Sequence, residues 1–355
     1  MIVCAFFDTE FMGRLNEIIK SAFWQIEDDE FEILHKRSVK PFENAELPFR
    51  DKRVVDTVKY HNEKWFHNEL VVRAKNATVE PQYVYAVDGL RTIIGASIRT
   101  RENLPSPIPM IKAKFLGRKK SLKKAILFDG TMGGNYNHFY ADVFHKIYVL
   151  PEFTELDCPI LVGPAIWEKS MMKFIRNDSP YHNLDWQLVT EPVEAEELWI
   201  SRPMPFDKNH WLKTKQIFIK EDLPITEKKA IFLNRVNTTR TILNFDEIEM
   251  ILTKHGVEVF APEKLSMAEQ AAAFNTTTHV ISIHGAALTN LMYCNHPKTK
   301  VLELCSNNRI GTQFYWLSTA LGMEWDMMLG GEADSNQSFT LDVASFEERL
   351  IEFLA

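Results

Sequence analysis

The stretch of sequence that decides the fold is HVISIHGAALTNLMYCNHPKTKVLELC, residues 279–305. It begins with an apolar, β-branched run at 280–283, which is typical of a buried strand in a parallel sheet. The strand is expected to end at His284, and the small residues that follow are expected to form the first turn of a helix. Residues 300–304 (KVLEL) predict the next strand. The stretch therefore predicts a strand, a helix and a second strand, the repeating unit of an α/β fold.

The turn after the first of these strands is a candidate phosphate site. A strand that runs through glycine into a helix presents backbone N–H groups and the positive end of the helix dipole. Ala286 and Ala287 have small side chains, so a ligand could approach the backbone closely. The alternative is an ordinary strand-to-helix turn, in which Gly285 serves only the backbone conformation. The candidate ligand-binding residues of this loop are His284, Gly285, Ala286, Ala287, Leu288, Thr289 and Asn290.

Composition excludes several classes of protein. The chain has 355 residues, 45% of them hydrophobic, which suggests two domains with sizeable cores. Its formal charge of -7 argues against a nucleic-acid partner, because such partners are held mainly by neutralising phosphates. The four cysteines form no CxxC pair, so neither a zinc site nor a disulfide framework is expected. We find no signal-peptide pattern and no apolar run of membrane-spanning length, and we expect a cytoplasmic protein.

Two sets of alternating strand and helix patterns follow one another along the chain. The first runs from residue 124 to about 201, the second starts at 229, and the proline-bearing segment 202–224 between them is predicted to be a linker. We therefore predict an α/β protein of two Rossmann-like domains, joined near residue 205 and facing a cleft. Ligands of open parallel sheets bind beyond the carboxyl ends of the strands, so that cleft is the expected site.

The first 124 residues carry weaker signals. Residues 11–25 suggest an amphipathic helix, residues 27–30 form an acidic run, and Asp88-Gly89 between two strand patterns predicts a hairpin. A basic patch follows, which we interpret as a solvated loop; the alternative is contact with an anionic membrane surface or an acidic glycan. Its members are Lys112, Lys114, Arg118, Lys119, Lys120, Lys123 and Lys124.

Side chains just beyond predicted strands suggest the chemistry of the second half. Arg235 and Arg240 follow the strand at 230–233, and guanidinium groups match the geometry of phosphate and stay charged. With the turn after Gly285 they predict a diphosphate site; the alternative is a pair of surface arginines. Glu303 ends the next strand and is expected to accept ribose hydroxyls, unless it is a structural carboxylate.

His138 and Asp142 suggest a general base in the first half. They are four residues apart and share one face of the helix predicted at 138–150. An imidazole beside a carboxylate suits proton removal from a hydroxyl, and the alternative is a capping or core histidine. His145, one turn further on, is expected to leave the mouth of the site.

Several motif-defined sites are excluded. The sequence contains no GxxxxGK[ST], GxGxxG, GxSxG or HExxH motif. It also contains no Asp-x-Asp motif, which disfavours a diphosphate held through such a metal site. A metal-free site would rely on arginine and the helix dipole instead.

Together these segments resemble glycosyltransferase family 61. GGNYNHFYADVFHKIYVL at 133–150 is similar to the family's GGN-x-x-H-x-x-x-D segment, and LNRVNTTRTILNFDEI at 233–248 to its arginine loop and following helix. HVISIHGAALTNLMYC at 279–294 resembles its HGAGLTN motif, with Ala287 in place of the usual glycine. Asn234-Arg235 stands where the family has two arginines.

The resemblance implies a GT-B fold, with an acceptor-binding domain at 1–205 and a nucleotide-sugar-binding domain at 206–340. The helix in 341–355 is expected to pack back on the first domain. It also implies an inverting hexosyl- or pentosyltransferase that needs no metal or cofactor. On this resemblance the donor would be a nucleotide sugar, UDP-linked, and the acceptor would be a glycan or glycolipid of capsule or lipopolysaccharide synthesis. Asn234, Arg235, Arg240, residues 284–290 and Glu303 would bind the donor; Asp142 and His138 would be catalytic, and Gly134, Asn135 and Asn137 would form the acceptor loop.

Two other functions fit the same scaffold. One is a nucleotide- or glycan-binding protein without catalysis, and the other is a nucleotide-sugar epimerase. Turnover that depends on an acceptor distinguishes the transferase from both. Contact with the inner face of the membrane through residues 112–124 is a further expectation.

Overall fold

The computed structural model describes residues 25–27, 31–39, 51–64, 67–89, 92–94, 97, 106–115, 119–129, 133–235, 239–295 and 299–355. The expected helix at 11–25 and the acidic run at 27–30 lie almost wholly outside these residues. The chain forms two compact units, one of residues 1–38 and 68–205, the other of residues 39–67 and 206–355. The helix Lys52–Lys64 thus belongs to the second unit, although the predicted boundary at 205 placed it in the first domain.

The first unit is built on a nine-stranded sheet with the order β1-β5-β4-β3-β9-β6-β7-β8, and β2 also pairs with β3. β6, β7, β8 and β9 form parallel pairs. β3 runs antiparallel to both β4 and β9, so this sheet is mixed, and the parallel pairs of β6 to β9 lie in the region from residue 120 onward. The strands are β1 (Gln25–Glu27), β2 (Glu32–Val39), β3 (His67–Val79), β4 (Ala86–Asp88), β5 (Thr92–Ile94), β6 (Lys120–Leu127), β7 (Ile160–Val162), β8 (Trp186–Leu188) and β9 (Val193–Arg202).

Helical segments connect these strands. The predicted hairpin at Asp88-Gly89 is confirmed, because β4 and β5 pair antiparallel and Gly89 takes the left-handed conformation with φ 57°. The helix predicted at 138–150 is also confirmed as a continuous helical run. The helical segments are Pro107–Phe115, Tyr136–His138, a π-helix Phe139–Phe144, Lys146–Val149, a 3-10 turn Leu150–Glu152, Pro164–Trp167 and Ser170–Asn177.

The basic patch is not a loop. Lys112 and Lys114 lie in the helix Pro107–Phe115, and Lys120, Lys123 and Lys124 lie in β6. The prediction of a solvated loop over these lysines is therefore wrong, because the helix and the strand that carry them also contain buried apolar residues such as Met110 and Ala125. Arg118 lies outside the described residues.

The second unit contains a five-stranded sheet, parallel throughout, with the order β11-β10-β12-β13-β14. The sequence order reverses between β10 and β12, which is where open α/β sheets form a crevice at their carboxyl edge. The strands are β10 (Ala230–Leu233), β11 (Glu258–Phe260), β12 (His279–Ile283), β13 (Lys300–Cys305) and β14 (Glu324–Leu329). The helices are Lys52–Lys64, Lys208–Phe218, Phe245–Lys254, the 3-10 turn Pro262–Lys264, Met267–Asn275, the 3-10 helix Ala286–Tyr293, Gln313–Leu321 and Val343–Leu354.

Three expectations for this half need comment. The predicted linker contains a helix, Lys208–Phe218, whose Trp211 is fully buried. The capping box at Ser266 and Glu269 is confirmed, whereas the last helix is capped by Asp342 and not by Ser345. We expected this last helix to pack back on the N-terminal domain; its apolar residues Phe346, Leu350 and Phe353 instead join the core beneath the second sheet. None of the described helices has the length and apolar character that crossing a membrane requires.

Candidate functional site

The loops after β10 and β12 meet at the carboxyl edge of the second sheet. Arg235 follows β10, Gly285 follows β12, and a Cβ placed on Gly285 would overlap the Arg235 guanidinium. The backbone of Gly285 is extended, with φ 174°, so glycine is needed here for room and not for an unusual conformation. The fold thus brings a guanidinium group against the start of a helix, at the point where the strand order reverses.

The helix expected after Gly285 is present, and it is a 3-10 helix, Ala286–Tyr293. The first N–H groups of any helix have no carbonyl partner in that helix and attract anions. Ala286 and Ala287 are half-buried, while Leu288, Thr289 and Asn290 are fully buried. Only the first two therefore line the surface.

Asn290 stabilises the loop through a hydrogen bond. Its side-chain amide donates to Oε1 of Gln270 at 2.7 Å, and the residue is buried. Asn234 has a similar local role, because its Oδ1 accepts a hydrogen bond from the backbone N–H of Arg235 at 2.8 Å. Both residues stabilise the loops that carry Arg235 and Gly285.

Arg240 is held in a strained conformation close to a second arginine. Its φ is 67°, and its bonding partner Gln337 also has a positive φ of 64°. The Arg240 Nε donates to Gln337 Oε1 at 2.7 Å, and its backbone N–H donates to Asn336. Burial lowers the pKa of Arg240, and the nearby charge of Arg309 lowers it further. Two neighbouring cations and local strain are features of anion-binding sites, and sequence reasoning missed Arg309.

His284 is fixed on several sides. Its Nδ1 is hydrogen-bonded to Oε1 of Glu303, and its Nε2 lies 3.0 Å from the Gln313 amide nitrogen. An ionised carboxylate only accepts, so Nδ1 carries the proton and Nε2 accepts from Gln313. A Cβ on Gly311 would overlap the imidazole, and the Phe314 ring packs 5.5 Å away. The ring orientation is therefore set by the protein.

Glu303 does not fit the predicted contact with ribose. Its side chain is completely buried, and its second oxygen accepts from Trp325 Nε1 at 3.0 Å. Both oxygens are thus engaged by protein donors. The expectation that Glu303 binds ribose hydroxyls is wrong, and its place is that of a partner that orients His284.

The described residues contain one group with the composition of a metal site, formed by His284, Glu303 and Cys305, whose ligand atoms lie within 4.8 Å of one another. Burial raises the pKa of the Cys305 thiol well above its usual value, and Glu303 raises it further. Both ring nitrogens of His284 and both carboxylate oxygens of Glu303 already contact other side chains of the protein. The group therefore fits a hydrogen-bonded histidine–glutamate pair better than a metal centre.

The predicted pairing of His138 with Asp142 is present in the first unit. His138 Nδ1 and Asp142 Oδ2 are 2.9 Å apart, and both side chains are about one-fifth exposed. The acceptor-loop residue Asn135 caps this helix, since its side chain accepts from the N–H groups of Asn137 and His138. Gly134 is exposed and Asn137 half-buried beside it. His145 is fully buried, with its ring 5.8 Å from that of Tyr148, as expected for a residue outside the mouth.

A π-helix, Phe139–Phe144, carries Asp142 and continues to a buried lysine. Single π-turns in helices are frequent at functional sites. Lys146 Nζ donates to the backbone carbonyl of Asp129 at the end of β6, at 2.5 Å. Asp129 Oδ2 in turn accepts from the N–H of Gly163 at 2.6 Å, after β7.

Lys146 interacts electrostatically with Asp142 of the His138–Asp142 pair and with other charged residues, and the sequence analysis did not predict these interactions. Burial lowers the pKa of Lys146 to about 8, Asp129 and Asp142 oppose this shift, and Arg202 adds to it. The charges of Asp129, Asp142, Lys146 and Arg202 therefore influence one another at the carboxyl edge of the parallel strands. A buried lysine whose pKa is lowered, close to other charged residues, is typical of functional sites.

Residues 136–302 match the model of a known protein family. The family is Glycosyltransferase 61. The Glycosyltransferase 61 match covers just under half of the chain and includes His138, Asp142, Arg235 and Gly285, and it ends one residue before Glu303. It indicates glycosyltransferase activity for this region. No curated protein matches the chain.

Proposed function

We propose that the protein is an inverting glycosyltransferase that uses a UDP-linked sugar and needs no metal. It transfers a hexose or pentose to a hydroxyl of a glycan or glycolipid acceptor in surface polysaccharide synthesis. The proposal includes the GT-B fold class, with the donor bound by the second unit and the acceptor by the first. The nucleotide sugar is a substrate, and no cofactor takes part.

The observation that carries the proposal is the meeting of Arg235 and Gly285 within the Glycosyltransferase 61 match. This contact joins a guanidinium to the start of a helix at the reversal point of a parallel sheet. A diphosphate is the ligand class that such a place suits, because its charge matches both groups. Arg240 and Arg309 add cationic charge from the neighbouring loops.

The His138–Asp142 pair supplies the base. Asp142 accepts the Nδ1 proton of His138 and orients the ring, which leaves Nε2 as the acceptor for a proton. Nε2 takes the proton of the acceptor hydroxyl, and the hydroxyl oxygen attacks the anomeric carbon. A positioned general base contributes roughly two to four orders of magnitude in rate.

The leaving group receives the electrons of the broken bond. As the new carbon–oxygen bond forms, the bond between the anomeric carbon and the diphosphate oxygen breaks, and negative charge grows on the diphosphate. Arg235 and the N–H groups of Ala286 and Ala287 stabilise that charge. Donors that are oriented in advance are typically worth about 3–4 kcal/mol each in such a transition state.

A binding screen tests the donor half of the proposal. Thermal-shift and calorimetric titrations use nucleoside diphosphates and their sugars, each with and without EDTA. We expect selective stabilisation by uridine nucleotides that EDTA leaves unchanged. Binding that EDTA abolishes would overturn metal independence. Absence of any nucleotide binding would overturn the donor site.

A product analysis tests the catalytic half. The donor that binds is incubated with oligosaccharide acceptors, and the anomeric configuration of the product is read by NMR. Product of the opposite configuration to the donor is expected. Retention of configuration would contradict the single displacement. Conversion of the nucleotide sugar without acceptor would favour the epimerase, and binding without turnover the non-catalytic protein.

A further inference from the structure

The helix Pro107–Phe115 exposes large apolar side chains to solvent. Ile108 is 57% exposed and Phe115 is 70% exposed. Both share a face with the exposed Lys112, because positions 108, 112 and 115 are spaced by four and three residues. A helix on the surface of a globular domain normally turns its polar face outward. This outer stripe instead has an apolar residue at each end and a lysine between them.

The opposite face anchors the helix to the first unit. Met110 is fully buried, Pro107 is buried, and Ile111 is half-buried. The helix is therefore already packed through another surface. The helix packs on the first unit through one face, and the outer stripe is a second, exposed face.

Basic residues lie on this helix and follow it along the chain. Lys112 and Lys123 are exposed, and burial together with the charge of Lys119 lowers the pKa of Lys114. Lys119 pairs with Glu194 at 2.6 Å and Lys124 with Asp157 at 3.1 Å, so part of the positive charge is balanced. Seven basic residues nonetheless fall between positions 112 and 124 of a chain whose net charge is -7. The patch is locally positive on an acidic protein.

Apolar side chains beside lysines match the surface of an anionic bilayer. Such a surface offers apolar chains just beneath negatively charged headgroups, and amphipathic helices bind it in its plane. An acidic glycan would attract the lysines but offers no comparable apolar layer for Ile108 and Phe115.

We propose that the helix Pro107–Phe115 docks the protein on an anionic phospholipid membrane. Ile108 and Phe115 enter the boundary between headgroups and acyl chains, and Lys112 between them faces the headgroups. This inference does not depend on the identity of the reaction. It adds an interaction surface in the first unit that the proposed transferase chemistry does not use.

Vesicle sedimentation tests the inference. The full-length protein is mixed with vesicles of phosphatidylcholine alone or with added phosphatidylglycerol. We expect binding to the anionic vesicles that weakens with added salt. Phe115→Ser should weaken it about tenfold, as partial burial of an aromatic ring suggests. Lys112→Ser should weaken it about fivefold, and Phe115→Leu should retain most of it.

Met250→Ser is the matched control. Met250 lies on the helix Phe245–Lys254 of the second unit and is 66% exposed. Its replacement by serine therefore removes an exposed apolar side chain away from the proposed docking helix. Thermal unfolding checks that each variant is folded. The proposal would be overturned if the protein bound neutral vesicles as well as anionic ones, or if it bound neither kind. It would also be overturned if Met250→Ser weakened vesicle binding as much as Phe115→Ser does. Binding of soluble dextran sulfate that Phe115→Ser leaves intact, without vesicle binding, would identify the patch as a glycan contact instead.

Discussion

Gly285→Ala should weaken nucleotide binding while leaving the fold nearly intact. The added methyl group would overlap the Arg235 guanidinium, which is the far end of a flexible side chain and can move. The backbone at Gly285 is extended, so alanine is tolerated there, and we expect the melting temperature to fall by about 3 °C or less. A displaced guanidinium loses a charge-assisted hydrogen bond to phosphate worth about 1.5–3 kcal/mol. The dissociation constant for UDP should therefore rise by about 10- to 150-fold.

The assay is isothermal titration of UDP into four proteins that form a double-mutant cycle. Arg235→Ala should weaken binding by a similar factor, and adding Gly285→Ala to it should change little, because the affected group is already gone. Gly134→Ala is the control for an added methyl group, since the nearest atom to its Cβ would be 3.8 Å away. Independent, additive losses in the double variant would refute the proposed contact between Arg235 and the phosphate.

Three further predictions concern buried ionisable groups. Glu303→Gln removes the charged acceptor of His284 and should lower the free energy of unfolding in urea by about 1–3 kcal/mol; an unchanged value would contradict the buried pair. Lys146, with its pKa lowered to about 8, loses its proton in the folded state before the unfolded state does. The free energy of unfolding of the wild type should thus rise by about 2 kcal/mol more than that of Lys146→Met between pH 8 and pH 10. Parallel pH dependences of the two proteins would contradict this prediction. Burial lowers the pKa of His279 to about 4, so the unfolded state binds its proton first as the pH falls below 6.5. Wild-type stability should then fall more steeply than that of His279→Phe between pH 6.5 and pH 4, as denaturation at each pH would measure.

The second sheet was largely predictable because four of its strands are short apolar runs. β10 and β12 read as AIFL and HVISI, and every residue of both is buried. β14 was missed, since EWDMML places Glu324 and Asp326 among its apolar residues. In the first unit β3 was missed for the same reason, because Arg73 and Lys75 interrupt its apolar positions. A strand with polar residues on one face lacks the continuous apolar signal on which the prediction relied.

The site was predictable where one local pattern contained it. The spacing of His138 and Asp142 on a helix was sufficient to predict their hydrogen bond. The partners that the fold supplies from distant segments were not, and Lys146 beside Asp129 and Arg309 beside Arg240 are examples. Such pairs depend on tertiary packing, which spacing along the chain does not encode.

Glu303 shows the same limit at one position. Its place at the end of an apolar strand suggested an exposed carboxylate at the sheet edge. The parallel register instead pairs Ser282 with Glu303, and the Glu303 side chain is hydrogen-bonded to His284, which follows directly after the end of β12. The prediction had the correct strand but the wrong direction of the side chain.

Sugar transfer by Asp142→Asn tests the central claim most directly. The wild type and the variant are given the UDP-sugar that binds and a glycan acceptor, and the product is measured together with the affinity for UDP. We predict that the variant binds UDP as tightly as the wild type does and forms no detectable product, because His138 has lost the carboxylate that orients it. Product formation at the wild-type rate would contradict the assignment of the base, and with it the proposed mechanism.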